Sequence, residues 1–168
     1  MAERAPAGVT AQAAPPELAG WTYPGLDYST FRLVLVAKAI DRLTLRKLAE
    51  TCSLTIAEWR VLSRLAPIEG ATVGQIAEMA WVDRAEVSRA AVSLEARGMT
   101  SRHVNPHDGR SPILFCTAAG REEYARVLPL RAAFHEKLAD DLTAEERATF
   151  DGLLMRIAQR VAGIAGEG

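Results

Sequence analysis

The sequence predicts a mainly α-helical protein with one small β-hairpin. Apolar residues recur at three- and four-residue spacing over most of the chain after residue 28, which is the pattern of helices that bury one face. Between Thr100 and Cys116 the pattern changes to two short strand-like runs joined by turn-forming residues. The 168 residues, of which 49% are apolar, suffice for one core of ordinary size.

The N-terminal segment, residues 1–26, differs in composition from the rest of the chain. It is rich in Ala, Pro and Gly ("APAGVTAQAAPPELAG"), which predicts a flexible arm. Trp21 and Tyr23 lie near its end, and aromatic side chains in that place often dock an arm onto a folded surface. A long helix with one apolar stripe is predicted next, from Ser29 to about Glu50.

Capping pairs mark four further helix starts. In a capping box the first side chain accepts a hydrogen bond from the third helical amide, and a Glu or Gln at that third position reaches back. Each candidate pair stands just ahead of a helical segment. The pairs are Thr55 with Glu58, Thr72 with Gln75, Asp83 with Glu86, and Thr143 with Glu146.

The helix that Asp83 begins is predicted to end at Gly98, because glycine tolerates the left-handed backbone that commonly closes a helix. The hairpin follows, with "TSRHV" and "SPILFC" as strands and "NPHDGR" as the turn. Thr117 is predicted to cap a long helix that runs through "AAGREEYARVLPLRAAFHEKLADDL" with a bend at Pro129. The last helix carries one apolar stripe, which comprises Phe150, Leu154, Ile157 and Val161.

Two short helices followed by a hairpin form a winged helix-turn-helix. In this motif the second helix enters the major groove of DNA, and the hairpin, or wing, lies along the flanking backbone. Arginine can bond two acceptors on a guanine edge, and serine suits a base edge or a phosphate, so such side chains on that helix predict a reader of duplex DNA. The helix would bury Val87, Ala91 and Leu94 and carry Arg84, Ser88 and Arg89 on or beside its opposite face.

The local charge agrees with this interpretation. The formal net charge of the chain is only −1, which argues against indiscriminate binding to polyanions. From residue 84 to residue 110, however, five arginines accompany three acidic residues, whereas from residue 139 to the end three arginines accompany six. The electrostatic interaction with a phosphate backbone would therefore differ strongly between the two ends of the fold.

Three segments resemble parts of the MarR family of bacterial transcription regulators. "LTIAEWRVLSRLA" resembles the helix before the reader unit, and "TVGQIAEMAWVDRAEVSRAAVSLEARGMTSR" resembles the two reader helices. "NPHDGRSPILFCTAAG" resembles the wing and the helix start after it. The resemblance covers roughly Thr30 to Ile157, and its most specific motifs are Ser88-Arg89 and the Asp108-x-Arg110 of the wing.

The resemblance implies a homodimer that binds double-stranded DNA at an inverted-repeat operator. Residues 27–52 and 117–168 would be interleaved dimerisation helices, and residues 53–116 would be the winged helix-turn-helix unit. It also implies that the Asp of the wing orients the Arg toward the minor groove. The candidate DNA-binding residues are Thr72, Gln75, Arg84, Ser88, Arg89, Asp108 and Arg110.

The resemblance further implies a repressor that releases its operator when a small aromatic effector, such as a phenolic acid, binds between the dimer part and the reader part. Trp59 lies on a helix between these parts, where it is either a core residue or a flat wall for an aromatic ring. Arg32 and Arg46, near the two ends of the first helix, are exposed cations by default or partners of a ligand carboxylate. The candidate ligand-binding residues are Tyr28, Arg32, Arg46, Trp59, Arg60 and His135.

Two other kinds of function stay open. One is a DNA-binding regulator that needs no ligand or that senses redox through Cys52 or Cys116, although lone cysteines are usually small buried apolar residues. The other is a helical protein-interaction module, which leaves the arginines of the reader helix unexplained. No phosphate loop, nucleophile motif or metal-ligand spacing occurs, so neither an enzyme nor a cofactor or metal is expected. No apolar run approaches the ~20 residues of a bilayer span, which predicts a cytoplasmic protein without membrane contact.

Overall fold

The computed structural model describes Trp21, Pro24, Gly25 and residues 28–166, so most of the predicted N-terminal arm lies outside the described residues. The described part is mainly helical with a small antiparallel sheet, which confirms the predicted fold class. Its elements are α1 Ser29–Thr51, α2 Ile56–Leu65, β1 Ala71–Thr72, α3 Val73–Ala80, α4 Arg84–Ala96, β2 Thr100–His103, β3 Ile113–Cys116, α5 Ala118–Lys137 and α6 Ala144–Gly166.

The core forms around α2, which contacts α1, α3, α4, α5 and β3. One face of α2 is apolar, and its residues Leu62 and Leu65 are completely buried. Ile76 of α3, Leu94 of α4 and Leu114 of β3 are buried against the same centre. Because burying one such side chain contributes about 1.5–3 kcal/mol, this centre fixes the short helices α3 and α4, which could not persist alone.

Two of the predicted capping boxes open α2 and α3. Thr55 Oγ1 accepts from Glu58 N–H at 3.2 Å while Glu58 Oε2 accepts from Thr55 N–H at 2.7 Å. Thr72 and Gln75 make the same pair of bonds at 3.3 and 2.8 Å. Each box satisfies amide groups that the helix itself leaves without an acceptor.

The predicted box at α6 also forms. Thr143 Oγ1 accepts from Glu146 N–H at 3.2 Å, and Glu146 Oε2 accepts from Thr143 N–H at 2.8 Å. The bond from Thr143 N–H and a second one from the Thr143 hydroxyl to the same carboxylate oxygen lower the pKa of Glu146. The carboxylate also favours this helix start through its attraction to the positive end of the helix dipole.

The predicted pairing of Asp83 with Glu86 at the start of α4 was wrong. Asp83 is the residue before α4, but its side chain makes no capping hydrogen bond. The Glu86 carboxylate instead accepts from Arg60 Nη1 on α2 at 3.2 Å. A charged guanidinium offers a carboxylate a stronger bond than a backbone amide does, so the distant partner prevails.

The helix α5 begins as predicted but ends early. Thr117 Oγ1 accepts from Gly120 N–H at 3.1 Å, and the helix continues through Pro129. It stops at Lys137 rather than at Leu142, because the chain turns there through the bond from Leu142 N–H to Ala139 O at 3.2 Å. The acidic pair 140–141 would stand at the negative end of a longer helix, which is unfavourable. The bend at Pro129 stays a prediction.

The hairpin is joined by a third strand that the sequence did not predict. The strands run in the order β1-β3-β2 and are antiparallel, with Thr100 opposite Cys116 and Ala71 opposite Leu114. β1 has only two residues, too few to show a periodic pattern. Gly98 has the predicted left-handed backbone, with φ of +70°, where the chain leaves α4 for β2.

The terminal helices expose much of their apolar surface. No residue of α6 is buried against the rest of the described chain. Arg32 on α1 is engaged by the arm, because its Nε donates to Trp21 O at 3.3 Å and its guanidinium lies over the Trp21 ring. The docking predicted for Tyr23 falls outside the described residues. No helix in the described part of the chain is both long and apolar enough to cross a membrane. Large exposed apolar residues of these helices include Val34, Leu43, Leu45, Leu128, Leu130, Phe150, Leu153, Met155, Val161 and Ile164.

Gly120 is required where α5 leaves the sheet. A Cβ atom added there would overlap Met99 O and would lie 2.8 Å from Cys116 Sγ. The backbone oxygen cannot move away without breaking its bond from Thr117 N–H, which is 3.1 Å long. The close approach of α5 to the start of β2 therefore depends on the missing side chain.

We predict that Gly120→Ala lowers the free energy of unfolding by about 1–3 kcal/mol, the usual range for an overpacked site. In an open helix the same change stabilises, by about 0.5–1 kcal/mol. Urea unfolding followed by circular dichroism measures the difference. Gly109→Ala is the matched control, because nothing lies within 4 Å of a Cβ added at that position. A Gly120→Ala protein as stable as the unmodified one would contradict the close packing.

Candidate nucleic-acid interface

The helix α4 presents a polar face opposite its buried stripe. Val87, Ala91 and Leu94 are buried, as the sequence predicts. Arg84 and Arg89 are exposed, and Ser88 between them is half-buried. Neither guanidinium makes an ion pair with any residue of the described chain. The nearby Glu86 carboxylate pairs with Arg60 on α2.

Polar contacts hold α4 to α2 at both ends. Near its start, the Glu86 carboxylate accepts from Arg60, and Arg60 Nη2 also donates to both oxygens of Asp41 on α1 at 3.1 and 3.2 Å. Near its end, Ser93 Oγ donates to Glu58 Oε1 at 2.6 Å. Arg97 Nη1 donates to the same oxygen at 3.3 Å. The polar face is thereby fixed in direction relative to α2.

Glu58 is the buried member of these contacts, with 4% of its surface exposed. Burial raises the pKa of its carboxyl. Hydrogen bonds from Ser93 and Thr55 and the charge of Arg97 together lower this pKa by more, so the net shift is downward. The group is therefore ionised at neutral pH. A buried carboxylate needs these donors, because an unpaired one would be strongly unfavourable.

An open groove of about 900 Å³ lies between α3, the start of α4 and the base of the wing. The Arg84 guanidinium extends along α3, 3.5 Å from the position of a Cβ added at Gly74. Thr72 and Gln75 face the groove but are also bound to each other in their capping box. Two acidic residues, Glu78 and Asp83, share the lining, which also includes Ala77, Trp81, Val82 and Ser111.

Trp81 lies in the turn between α3 and α4 with φ of 53° and ψ of 45°. This left-handed conformation costs an L-residue about 1–2 kcal/mol. The indole is 79% exposed, so it recovers little of that cost by burial within the chain. Trp81 is not among the residues predicted from the sequence, where its one signal is an aromatic side chain directly after a helix.

The wing carries Arg110 at its exposed tip. Asp108 Oδ1 accepts from Arg110 N–H at 3.0 Å, so the carboxylate orients the backbone of the arginine and not its guanidinium. A hydrogen bond from the Ser111 side chain, and then the one from Arg110 N–H, lower the pKa of Asp108. Asn105 Nδ2 donates to Ser111 O at 3.1 Å across the loop. The tip is therefore a turn held by its own hydrogen bonds, and Arg110 is exposed on it.

A second cavity, of about 290 Å³, lies between α2 and α5. Its aromatic wall is formed by Trp59 and Tyr124, whose rings stack with centroids 5.8 Å apart and 16° between their planes. Trp59 is 8% exposed, so it is a core residue and a wall of the cavity at once. The remaining lining residues are Ser63, Arg64, Leu128, Arg131, Ala132 and His135.

Arg131 brings a positive charge to this cavity. Its Nη1 donates to Thr44 Oγ1 at 3.0 Å and its Nη2 donates to His135 Nε2 at 2.9 Å. Its Nε is buried and has no hydrogen-bond partner among the described residues. Burial lowers the pKa of Arg131, against the opposing charge of Asp41, yet a guanidinium stays protonated at neutral pH. Within the described chain, the hydrogen-bond partners of this guanidinium are thus a hydroxyl and an imidazole.

His135 is neutral beside this arginine. Burial, and then the positive charge of Arg131, lower the pKa of the imidazole. Since a guanidinium can only donate, His135 Nε2 is the acceptor and the ring proton lies on Nδ1. The ring therefore offers one N–H donor on the side away from Arg131.

The structure brings together some of the predicted ligand-binding residues and not others. Trp59 and His135 both line the cavity between α2 and α5. Arg60 is engaged by Asp41 and Glu86, and Arg32 is engaged by Trp21. The other two candidates, Tyr28 and Arg46, are exposed and lie outside the cavity lining.

Among the cavity residues that were not predicted from the sequence are Arg131 and Tyr124 on α5. Their positions carry a signal, because residues 124, 128, 131 and 135 recur at the spacing of one helix face. The two cysteines lie elsewhere: Cys116 is buried and Cys52 is half-buried. Burial raises the pKa of the Cys116 thiol, although the charge of Arg121 opposes this. Within residues 28–166, no three potential metal-ligating side chains come together.

The family model described as "MarR family" matches residues 53–111, which include α2, the helix-turn-helix and most of the wing. Residues 53–111 are thus a MarR-family segment, which is about a third of the chain. The chain is also similar to an HTH-type transcriptional regulator of Bacillus subtilis strain 168, YdgJ, with 30% identity over 83 residues. That match covers 49% of this chain, and it spans about half, 51%, of the relative's length.

Solved structures show the same architecture over more of the chain. A MarR-family transcriptional regulator from Silicibacter pomeroyi is 25% identical, with a TM-score of 0.68 over 80% of this chain and 90% of that one. The regulator PcaV from Streptomyces coelicolor, solved with its natural ligand, is 23% identical, with a TM-score of 0.65 over 82% and 93%. The likeness to PcaV concerns the fold alone.

Proposed function

We propose that this protein is a cytoplasmic, homodimeric transcription regulator that binds duplex DNA through α4 and the wing. The observation that carries the proposal is the polar face of α4, where Arg84 and Arg89 are exposed and make no ion pair within the described chain. A single helix fits the major groove, and guanidinium groups can bond guanine edges or phosphates. The family match supports this role for the same segment.

The rigidity of the α4 attachment also supports DNA reading. Base recognition needs donors held in a fixed direction, since a misplaced guanidinium cannot make two bonds to one base. The contacts of Glu86 with Arg60 and of Ser93 with Glu58 hold α4 in this way at both ends. Arg110 on the wing would then add a contact to the backbone or minor groove beside the reader helix.

We predict that Arg89→Ala weakens binding to a selected operator by about 1–3 kcal/mol and alters base preference. A bidentate contact to a base contributes both to affinity and to the choice of base. Arg110→Ala should weaken all duplexes more evenly. A duplex selected from a random-sequence pool by the unmodified protein serves as operator, in fluorescence-anisotropy titrations at fixed salt.

Arg121→Ala is the matched control for that experiment, since Arg121 is exposed near the start of α5 and lies outside the reader face. Unaltered operator affinity in Arg89→Ala would remove the DNA-reading role of α4. A helical protein-interaction module would bind no duplex selectively, with or without the substitution.

Dimerisation is proposed from the exposed apolar face of α6. No residue of this 23-residue helix is fully buried against the described part of the chain, so that part holds the helix only weakly. Leu153, Val161 and Ile164 are about half exposed on one side of α6, and Leu43 and Leu45 are exposed on α1. Apolar area of this extent on one molecule typically belongs to an interface. A second copy of the chain would place two reader units on one face of an inverted repeat.

We predict that Leu153→Glu shifts the protein from dimer to monomer and greatly weakens operator binding, because a charge would be buried in the interface. Sedimentation velocity measures the state of association. Met155→Glu is the matched control, since Met155 is exposed on the other side of the same helix. A monomeric unmodified protein, or equal effects of the two substitutions, would count against this interface.

The effector is proposed to be a small aromatic carboxylate that binds in the cavity between α2 and α5 and releases the operator, which makes the protein a repressor. The stacked rings of Trp59 and Tyr124 suit an aromatic ring. The Arg131 guanidinium has no carboxylate partner in the described chain and keeps a buried Nε unbonded. A ligand carboxylate would supply the missing acceptor.

Arg64 links this cavity to the reader helices. It lines the cavity, and its Nε donates to Met79 O near the end of α3 at 3.2 Å. A bound carboxylate would compete with that carbonyl oxygen for the guanidinium. The ligand would then favour a position of α3 and α4 that differs from the DNA-binding one, as release requires, because a ligand with equal affinity for both states shifts nothing.

We predict that benzoate, 4-hydroxybenzoate or cinnamate raises the melting temperature and releases the selected duplex, whereas the neutral benzamide does so far less. Arg131→Gln should weaken the effect of the acid about tenfold or more, since a hydrogen bond to a charged group contributes about 1.5–3 kcal/mol. Arg121→Gln is the control for a lost surface charge. Release that survives both Arg131→Gln and Trp59→Ala would place the effector site elsewhere.

A further inference from the structure

Trp81 adopts a conformation that the rest of its own chain does not account for. Among the described residues it is the one non-glycine residue with a positive φ. Its side chain is largely exposed, whereas Trp59 is buried. A left-handed backbone is unfavourable for a residue with a Cβ, and exposure of an apolar ring to water is unfavourable as well.

The turn explains the backbone but not the choice of residue. Val82 N–H donates to Ala77 O at 3.1 Å and Trp81 N–H donates to Glu78 O at 3.2 Å, the paired bonds of a Schellman helix end. Such an end requires a left-handed residue, which is usually glycine. Glycine at position 81 would keep both bonds and remove the exposed ring. The indole therefore has no role in forming the turn.

The position of Trp81 links it to the proposed DNA-binding surface. It lines the same groove as Thr72, Gln75 and Arg84, at the junction of α3 and α4. A duplex that contacts Arg84 must therefore pass beside the indole ring.

The charges of the groove favour an uncharged group at this place. Glu78 and Asp83 line the groove together with Trp81, and they would repel a phosphate that entered it deeply. A lysine at position 81 would be attracted to these carboxylates instead of to DNA. An indole has no net charge, one N–H donor and an apolar face, so it can contact sugar and phosphate at the rim without being drawn into the groove.

We propose that Trp81 positions the protein on DNA by packing its ring against a deoxyribose and donating its Nε1–H to a phosphate oxygen of the same strand. The proposal rests on the DNA binding proposed above. Contacts to the sugar-phosphate backbone fix the register of a protein on the duplex and carry no sequence information of their own. Trp81 therefore adds affinity for any duplex and leaves base preference unchanged.

The experiment compares Trp81→Gly and Trp81→Phe with the unmodified full chain, on the duplex selected from a random pool and on a scrambled duplex of equal length. Trp81→Gly should weaken binding to both duplexes by a similar factor, about tenfold, while its melting temperature stays equal or rises. Trp81→Phe keeps a ring but loses the N–H donor. Its affinity for each duplex should therefore lie between those of Trp81→Gly and the unmodified protein. Trp81→Asn, which also tolerates a left-handed backbone, replaces the glycine variant if that variant does not fold.

Three results would overturn the assignment of Trp81. The first is that a folded Trp81→Gly protein binds each duplex as tightly as the unmodified protein does. The second is a loss of affinity confined to the selected duplex, which would make Trp81 a reader of bases. The third is unchanged DNA affinity with an altered response to benzoate, which would make the groove a ligand site. If the unmodified protein retains no duplex at all, the proposed DNA binding itself fails, and that outcome is distinct from the other three.

Discussion

The orientation of α4 relative to α2 is the constraint on which the rest of the structure depends. Apolar contacts such as those of Leu62 with its neighbours supply the burial, but they have no directional preference. The hydrogen bond from Ser93 to Glu58 does have one, and it joins a buried carboxylate. Any rotation of α4 that broke this bond would weaken the solvation of that charge, so the helix is held to one direction.

Arg60 extends this constraint beyond the reader unit. It joins Glu86 on α4 to Asp41 on α1, so that the helix proposed to dimerise and the helix proposed to read DNA share one arginine. The opposite wall of the aromatic cavity is tied to α1 as well, through the bond from Arg131 to Thr44. A ligand in that cavity would therefore act between elements that are already connected to α4, without requiring any long path through the core.

Most of the fold could be predicted from local patterns, since the interactions that begin and end its helices span only a few residues. Thr55 with Glu58 and Gly98 at the end of α4 are examples. Two features that the sequence did not predict correctly depend on distant partners. Glu86 was assigned to the start of its own helix, but Arg60, 26 residues away, binds it. The two-residue strand β1 exists only because β3 pairs with it, and no pattern within two residues could indicate that.

The polar face of α4 could be predicted for the same reason, because the buried stripe of a helix determines which residues lie opposite. The cavity could be predicted only in part, since it depends on which helices face each other. Arg60 and Arg131 are the same residue type on neighbouring helices, yet two carboxylates bind the first, and none binds the second within the described chain. Tertiary pairing, and not residue type, thus decides which guanidinium is available to an anionic ligand.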